Sequence, residues 1–348
     1  MSLSSLSTPS ISVQRPSHAC LQAVLAHLGG RRVLVLGDMV ADEYIIGRPT
    51  RLSREAPIPV LEYVDRYIVP GGATNLARNV RALGGVVAVA GVIGHDAAGA
   101  ALRARLMAEG IAVDGLAEDA ERPTSTKTRV IGGSSQVVSQ QIVRIDRVVH
   151  TTINATDTAH IIAYLRQEIP RVDALVISDY ENGVITPAII DVAVPLAVQH
   201  GIIITVDAHG GLFRFKGVTV ATPNQDEVAG MLGILLQSEE DVCRGGQDLV
   251  RGMQARGAII TRGSEGMTVV EADGACHHLA ASTLHEVRDA TGAGDTVSAT
   301  VTLALAAGAS LLEAAHLGNL AASLVVQRLG AATTSVEELG AEIAAAPR

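Results

Sequence analysis

A glycine-rich turn followed by an acid is the stretch of this chain best suited to chemistry. Thr291, Gly292, Ala293 and Gly294 stand directly before Asp295, and a long apolar run of small residues follows. Glycine permits backbone conformations that side chains disfavour, and the apolar run is typical of a buried helix. A turn at the start of a helix presents free backbone N–H groups, which bind anions such as phosphate together with the helix dipole.

Asp295 is electrostatically unfavourable at such an anion site unless it has a chemical task. A carboxylate in this position could take a proton from a hydroxyl group that attacks a phosphate. The alternative is structural, with Asp295 capping the exposed N–H groups of the helix. The turn alone leaves both interpretations open.

Short apolar runs alternate with helical patterns along most of the chain. The runs predict six buried strands: 32–38, 86–94, 173–179, 201–207, 218–224 and 257–263. The helical patterns predict five helices: 74–83, 99–109, 156–168, 186–199 and 239–255. Residues 297–312 are too few to span a bilayer and predict a core helix. The alternation favours an α/β fold with a doubly wound parallel sheet and helices on both faces.

Two segments, about 42–70 and 124–147, interrupt this alternation with β-branched residues, prolines and turns. They predict a small accessory β-sheet, called the lid below, which closes over a pocket and excludes water. A solvent-facing sheet without such a role is the alternative. Residues 31–345 are then one domain with the lid inserted, and residues 1–30 are a disordered or helical leader.

The apolar surface of the lid favours an interface with a second subunit. Ile45, Ile46, Val60 and Ile68 are the residues that suggest this pairing. We expect a homodimer formed through the lid.

Polar residues stand at the ends of many predicted strands. In open α/β sheets, ligands bind beyond the carboxyl ends of the strands, so these side chains should converge on one crevice. Any single one of them could equally be a helix cap or a turn former. The residues are Asp38, Asp179, Asp207, Asn224, Thr261 and Arg262.

Composition narrows the class of protein. The 348 residues are 48% hydrophobic but only 2% aromatic, which suits helices packed closely on a parallel sheet. A formal net charge of −9 argues against a nucleic-acid or membrane-surface partner. Cys20, Cys243 and Cys276 lie far apart without metal-ligand spacing. They predict three reduced, packed thiols and a cytoplasmic protein.

Two motifs resemble the paired signatures of the ribokinase-like, or PfkB, carbohydrate kinases. They are "GGATNLARNVRALGG" (71–85) and "DATGAGDTVSA" (289–299), and the resemblance extends over about residues 32–339. It implies a ribokinase-like fold and ATP-dependent phosphorylation of a sugar hydroxyl. A dinucleotide-binding fingerprint is disfavoured, because Val297 replaces its third glycine and the turn does not follow the first strand.

Four further segments resemble one branch of that family, the heptose 7-phosphate kinase module of ADP-heptose synthesis. They are "RLSREAPIPV", "TKTRV", "QQIVRID" and "TPNQDE". The resemblance implies O1 of D-glycero-D-manno-heptose 7-phosphate as the acceptor. Glu43, Asn182 and His209 stand where this branch has cations. Two alternatives therefore stay open: a kinase for another sugar, sugar phosphate or nucleoside, and a nucleotide- or sugar-binding protein that has lost catalysis.

The resemblance also implies roles for individual residues. Asp295 would be the general base, and the amides of Gly292, Ala293 and Gly294 would face the transferred phosphoryl group. Glu227 would hold Mg²⁺ through water, because Mg²⁺ keeps part of its hydration shell; a requirement for a monovalent cation is left open. The remaining implied contacts are Asn224, Glu227, Thr261, Gly263, Gly266 and Asn319 for ATP, Asp38, Gly71, Gly72, Asn75 and Lys127 for the sugar, and Arg78 and Arg144 for a phosphate on the sugar.

Overall fold

The computed structural model describes residues 11–12, 15–134, 137–281 and 287–345. Residues 1–10 and 13–14 of the predicted leader lie outside the described residues. The described part of the leader contains a short strand and a helix, and Leu21 and Leu25 of that helix are buried in the main core. This part of the segment packs as an element of the domain.

The described strands form two sheets. In chain order they are β1 (Ile11–Ser12), β2 (Arg32–Gly37), β3 (Met39–Leu52), β4 (Pro59–Gly72), β5 (Val86–Gly94), β6 (Ala112–Asp119), β7 (Ser125–Ser134), β8 (Val137–Arg147), β9 (Ala174–Asp179), β10 (Ile203–Ala208), β11 (Val220–Ala221), β12 (Gly257–Thr261), β13 (Met267–Glu271) and β14 (Cys276–Leu279). The main sheet has the order β1-β14-β13-β12-β11-β10-β9-β2-β5-β6. It is parallel except where β13 pairs with β12 and β14.

The helices cover both faces of the main sheet. They are α1 (His18–Ala26), α2 (Ala73–Ala82), α3 (Ala97–Ala108), α4 (Ala155–Glu168), α5 (Pro187–Gln199), α6 (Gln225–Leu232), α7 (Glu239–Met253), α8 (Ala293–Ala306), α9 (Leu311–Val325) and α10 (Val336–Ala345). The predicted α/β fold with a mostly parallel, doubly wound sheet is confirmed.

Continuous apolar runs form the central strands because both faces of the sheet are covered. All six residues of β9 are buried. Side chains alternate along β2: Val33 and Val35 belong to the core on one face, whereas Leu34 and Leu36 belong to the core on the other. The strands therefore separate two hydrophobic cores.

The lid is a four-stranded sheet of order β4-β3-β7-β8. β3 and β4 are antiparallel, whereas β3 and β7 are parallel, so the two inserted segments meet in one sheet. The four apolar residues expected at its surface are only half-exposed, and Ile68 packs against the main core. Other apolar side chains of the lid are the exposed ones: Leu52, Ile58, Tyr63, Val64, Tyr67, Ile142, Val143 and Ile145.

The predicted helix over 297–312 is wrong in its bounds. α8 begins at Ala293 and ends at Ala306, Gly308 follows with φ of +93°, and α9 begins at Leu311 after the cap Ser310. The left-handed conformation of Gly308 ends the first helix, and the capping box of Ser310 with Glu313 starts the second. No described helix is long and apolar enough to cross a membrane.

The prediction of three reduced thiols is wrong for two of them. Cys243 on α7 and Cys276 on β14 form a disulfide, with 6.1 Å between their Cα atoms. The packing of α7 beside the sheet brings the two residues together, which their separation along the sequence does not reveal. Cys20 remains a free thiol and donates a hydrogen bond to Glu313.

Candidate active site

A cavity of about 770 Å³ lies where the carboxyl ends of the central strands, the lid and the start of α8 meet. This volume is within the range of small-molecule sites. The predicted site residues that line it are Gly72, Asn75, Lys127, Arg144, Asn224, Glu227, Thr261, Gly263, Gly292, Gly294 and Asp295. The expected convergence of strand ends occurs for Asp207, Asn224, Thr261 and Arg262, which line this cavity. It does not occur for Asp38 and Asp179, and Asp179 is paired with Arg214 instead.

Asp295 lies in the first turn of α8 and is 5% exposed. Its Oδ2 accepts a hydrogen bond of 2.6 Å from Asn75 Nδ2, and its Oδ1 accepts one of 2.9 Å from the Tyr180 hydroxyl. Burial raises the pKa of Asp295 to about 6, although these two hydrogen bonds oppose the increase. A carboxylate with such a pKa is suited to accept a proton near neutral pH.

The glycine turn fits tightly against this acid. Gly292 caps α8 with φ of +78°, and a Cβ atom there would lie 2.6 Å from Asn75 Nδ2. Any side chain at this position would displace the amide that holds Asp295. Gly294 lines the cavity, whereas the Ala293 amide donates to the Ala290 carbonyl at 3.2 Å. The amides of Gly292 and Gly294 are thus better placed than that of Ala293 to contact a phosphoryl group.

Asp38 lies beneath the cavity and does not line it. Its buried carboxylate accepts backbone N–H hydrogen bonds from Tyr180 (2.7 Å), Asn182 (3.1 Å) and Val184 (3.3 Å). Burial raises the pKa of Asp38, and the three N–H groups oppose that increase. In the structure this acid orders the loop that carries Tyr180.

Asp42 is a cavity residue that the sequence reasoning missed. It is 4% exposed, and its Oδ1 lies 2.8 Å from Nη1 of Arg129, another missed residue. Gly71 permits this arrangement, since a Cβ atom there would lie 2.7 Å from the Asp42 carboxylate. Gly72 caps α2 with φ of +54°. A buried, ion-paired carboxylate beside an open cavity is suited to accept hydrogen bonds from sugar hydroxyls.

The NxxE segment forms a helix cap at the edge of the cavity. Asn224 and Glu227 exchange side-chain to backbone hydrogen bonds of 2.8 Å at the start of α6. The second carboxylate oxygen of Glu227 lies 2.6 Å from Nδ1 of His209. The hydrogen bond to Glu227 raises the pKa of His209, so this histidine partly restores the cation that the sequence pattern lacks.

The three cationic side chains expected to bind the substrate differ in whether they lie at the cavity and whether they already have an acidic partner. Lys127, on lid strand β7, lies with Nζ 4.9 Å from the centre of the Tyr180 ring. Arg144 lines the cavity from β8 but forms two hydrogen bonds, of 2.9 and 3.0 Å, with Asp146. Arg78 does not line the cavity, and its Nε is paired with Glu109 at 2.8 Å.

Of the residues predicted to bind the nucleotide, some line the cavity and others do not. Thr261 and Gly263 line the cavity, and Thr261 forms a parallel bridge with Asn224. Gly266 is set back, where a Cβ atom would lie 2.0 Å from the Leu279 carbonyl oxygen. Asn319 donates to the Ala280 carbonyl at 2.8 Å and does not line the cavity.

Asp207 is a second acid of the cavity whose pKa is strongly raised. Burial and the neighbouring Asp295 raise its pKa to about 7, and its Oδ2 accepts a hydrogen bond of 3.1 Å from Ser298. Among the described residues, no three or more His, Cys, Asp or Glu side chains cluster as a metal site by themselves. The carboxylates instead face the cavity from separate elements: Asp42 from β3, Asp207 from β10, Glu227 from α6 and Asp295 from α8.

Comparison with known proteins identifies the family. The profile described as "pfkB family carbohydrate kinase" matches residues 31–339. The chain belongs to the PfkB carbohydrate kinases. It is therefore an ATP-dependent sugar kinase, and the alternative of a non-catalytic binding protein is not supported.

Curated relatives are similar over most of this PfkB chain. It is 38% identical over 320 residues to the "Bifunctional protein HldE" of Geobacter metallireducens, covering 92% of this chain and 64% of the relative. It is 41% identical to the protein of the same name from Caulobacter vibrioides, covering 91% and 65%. The chain thus spans about two thirds of the length of these relatives.

Solved structures share the fold. Phosphofructokinase-2 from Escherichia coli in complex with potassium superposes with a TM-score of 0.72 at 21% identity, covering 91% of this chain and 99% of that one. Arabidopsis thaliana ribokinase complexed with ribose and ATP gives 0.68 at 18% identity, covering 90% and 99%. The ribokinase-like fold is confirmed.

Proposed function

We propose that this PfkB kinase transfers the γ-phosphoryl group of ATP to O1 of D-glycero-D-manno-heptose 7-phosphate. The observation that carries the proposal is one cavity in which a buried carboxylate, Asp295, meets the glycine turn at the start of α8 and cations of the lid. The similarity to relatives named HldE supports the heptose branch.

Each element of the cavity has a task in this reaction. Asp295 takes the proton from the acceptor hydroxyl, whose oxygen then bonds to the γ-phosphorus while the bond to the leaving ADP oxygen breaks. The amides of Gly292 and Gly294 stabilise charge on the transferred group. Asp42 and Asn75 bind sugar hydroxyls, and Lys127 and Arg144 face the acceptor from the lid. Closure of the lid excludes water that would otherwise hydrolyse ATP.

The acidic side of the cavity fits a hard divalent cation. Glu227 would hold Mg²⁺ through water, because Mg²⁺ prefers oxygen ligands and keeps several waters. Bound there, the ion neutralises phosphate charge. A bound potassium ion occurs in the neighbour from Escherichia coli. Turnover in potassium, sodium and choline salts would test whether this chain also responds to a monovalent cation.

The second candidate is a kinase for another sugar phosphate. It is motivated by the three residues that replace expected cations. Glu43 is paired with Arg66 at 2.5 Å on the lid, and Asn182 is buried with its carbonyl bound by Arg122. Neither supplies positive charge to the cavity. His209 alone offers a partial replacement.

A panel of acceptors separates the two candidates. ADP release with heptose 7-phosphate, unphosphorylated heptose, fructose 6-phosphate and ribose should give the highest kcat/KM for heptose 7-phosphate, and ³¹P NMR should show phosphate on O1. A higher kcat/KM for a different sugar phosphate would favour the second candidate.

We further propose that two copies pair through their lids in the cytoplasm, where ATP is available. The exposed lid residues Tyr63, Val64 and Ile145 form the apolar surface that favours pairing. Sedimentation should show a dimer at micromolar concentration, and Val64→Lys should weaken it. A monomer at that concentration would contradict this assembly.

A further inference from the structure

Tyr180 links three parts of the active site, although the sequence analysis assigned it no role. It follows strand β9, and its backbone N–H donates to Asp38 at 2.7 Å. The next residue, Glu181, has φ of +59°, which is uncommon for a residue with a side chain. The hydrogen bonds to Asp38 thus hold an unfavourable loop in place, and that loop sets the position of the Tyr180 side chain.

The hydroxyl of Tyr180 contacts the acid proposed as the base. It donates to Asp295 Oδ1 at 2.9 Å, while Asn75 holds Oδ2 at 2.6 Å. Burial and the charge of Asp295 raise the pKa of Tyr180 well above its ordinary value. The hydroxyl therefore stays protonated, and it can act as a donor throughout the neutral pH range.

The ring of Tyr180 contacts the lid on one side and the nucleotide side of the cavity on the other. Lys127 of the lid lies with Nζ 4.9 Å from the ring centre. His209 packs edge-on against the ring, with 4.5 Å between ring centroids and an interplanar angle of 78°. An aromatic face attracts an ammonium group, so this ring offers the lid lysine a defined position.

We propose that Tyr180 is a positioning residue for this kinase, whose hydroxyl orients and keeps ionised the Asp295 carboxylate and whose ring docks Lys127 when the lid closes. The proposal rests on the proposed kinase function. It assigns two separable tasks to one side chain, because the hydroxyl faces the base and the ring faces the lid.

Other charged groups around Asp295 shift its pKa, and the Tyr180 hydrogen bond acts against those that raise it. Asp42 on β3 raises the pKa of Asp295 by repulsion, and His209 lowers it. Asp207 on β10 is close enough that Asp295 raises its pKa in turn. Two carboxylates therefore oppose ionisation of the base. The hydrogen bonds from Tyr180 and Asn75 are the neutral contacts that favour it.

The substitution Tyr180→Phe tests the hydroxyl and keeps the ring. Loss of a hydrogen bond to a charged acceptor should move the acidic limb of the kcat profile upward by about one pH unit. Because the pKa of Asp295 is about 6, kcat should fall about tenfold at pH 5 and about twofold at pH 7 and should recover at pH 9, while the sugar KM stays within about twofold. Tyr164→Phe is the matched control, since Tyr164 is half-buried on α4 away from the cavity.

An unchanged acidic limb in Tyr180→Phe, with normal folding, would overturn the role of the hydroxyl. A readout without turnover is the titration of the Asp295 carboxyl by ¹³C NMR, assigned with Asp295→Asn. Its pKa should rise in Tyr180→Phe and stay constant in Tyr164→Phe. This titration distinguishes a failure of the Tyr180 proposal from a failure of the proposed kinase function. It tests the hydrogen bond to Asp295 even if no sugar in the panel is phosphorylated.

The ring is tested by a double-mutant cycle. Tyr180→Leu should raise the sugar KM at least fivefold above that of Tyr180→Phe, because Lys127 loses its docking face. Lys127→Met should raise the sugar KM in the wild type but change it little in the Tyr180→Leu background. Additive effects of the two substitutions would overturn the docking role.

Discussion

Replacing Asp295 by Asn should remove activity and, at the same time, make the fold more stable. The amide oxygen can keep the hydrogen bond from Asn75, and the amide nitrogen can donate to the Tyr180 oxygen. The geometry of the site is therefore preserved. The variant cannot accept a proton, so kcat should fall by a factor of about 10²–10⁴.

The gain in stability follows from the pKa of this acid. Burial raises it from 3.8 to about 6 in the folded state. A pKa raised on folding contributes stability that is fully present below 3.8 and is lost as the pH rises through about 6. The difference of about two units corresponds to about 3 kcal/mol, which the ionised wild type lacks at pH 8. The deficit should be about half as large at pH 5.

Urea unfolding of wild type and Asp295→Asn at pH 8 and pH 5 measures this effect. Asp289→Asn is the control of opposite sign. Burial alone would raise the pKa of Asp289, but hydrogen bonds from Thr291 and Gly330 and the charge of Arg129 lower it overall. Its removal should therefore destabilise the protein at pH 8. A stability difference for Asp295→Asn that does not depend on pH, or near-normal turnover, would refute the reasoning.

Two further predictions concern contacts that the sequence did not reveal. In steady-state kinetics, Asp42→Asn should raise the sugar KM at least tenfold with little change in the KM for ATP. The control is Glu43→Gln, which alters the adjacent residue paired with Arg66 and should leave both KM values unchanged. Reduction of the Cys243–Cys276 disulfide should lower the free energy of unfolding by about 3 kcal/mol, and equal urea midpoints with and without reductant would contradict the bridge.

The central strands could be predicted from the sequence because each is a continuous apolar run. β5 was predicted with its observed bounds, and β2 and β9 within one residue. β13 and β14 were missed, since they are short and lie toward the edge of the sheet. β11 is shorter than expected: only Val220 and Ala221 pair with its neighbours. Strand pairing depends on neighbours that a local pattern does not contain.

The placement of Asp295 and the glycine turn at the cavity could be predicted because they are contiguous in the chain. Asp42, Arg129 and Tyr180 could not, because pairing of lid strands and one loop conformation bring them together. Asp38 was predicted to bind the sugar, yet Asp42 is the acid that lines the cavity. The chain passes from the main sheet to the lid between β2 and β3, and there the Asp38 carboxylate turns toward the backbone of the loop that follows β9.

The electrostatics of the cavity explain how an acid can stand at an anion site. Asp42 is paired with Arg129, whereas the raised pKa values of Asp207 and Asp295 mean that ionising both of these acids is unfavourable. ATP would add to that charge unless a divalent cation accompanied it. Burial, together with repulsion from Asp42, raises the pKa of Asp295 and so makes it a stronger base than an exposed aspartate. The stability lost when this buried acid ionises is thus a physical consequence of the basicity that phosphoryl transfer would use.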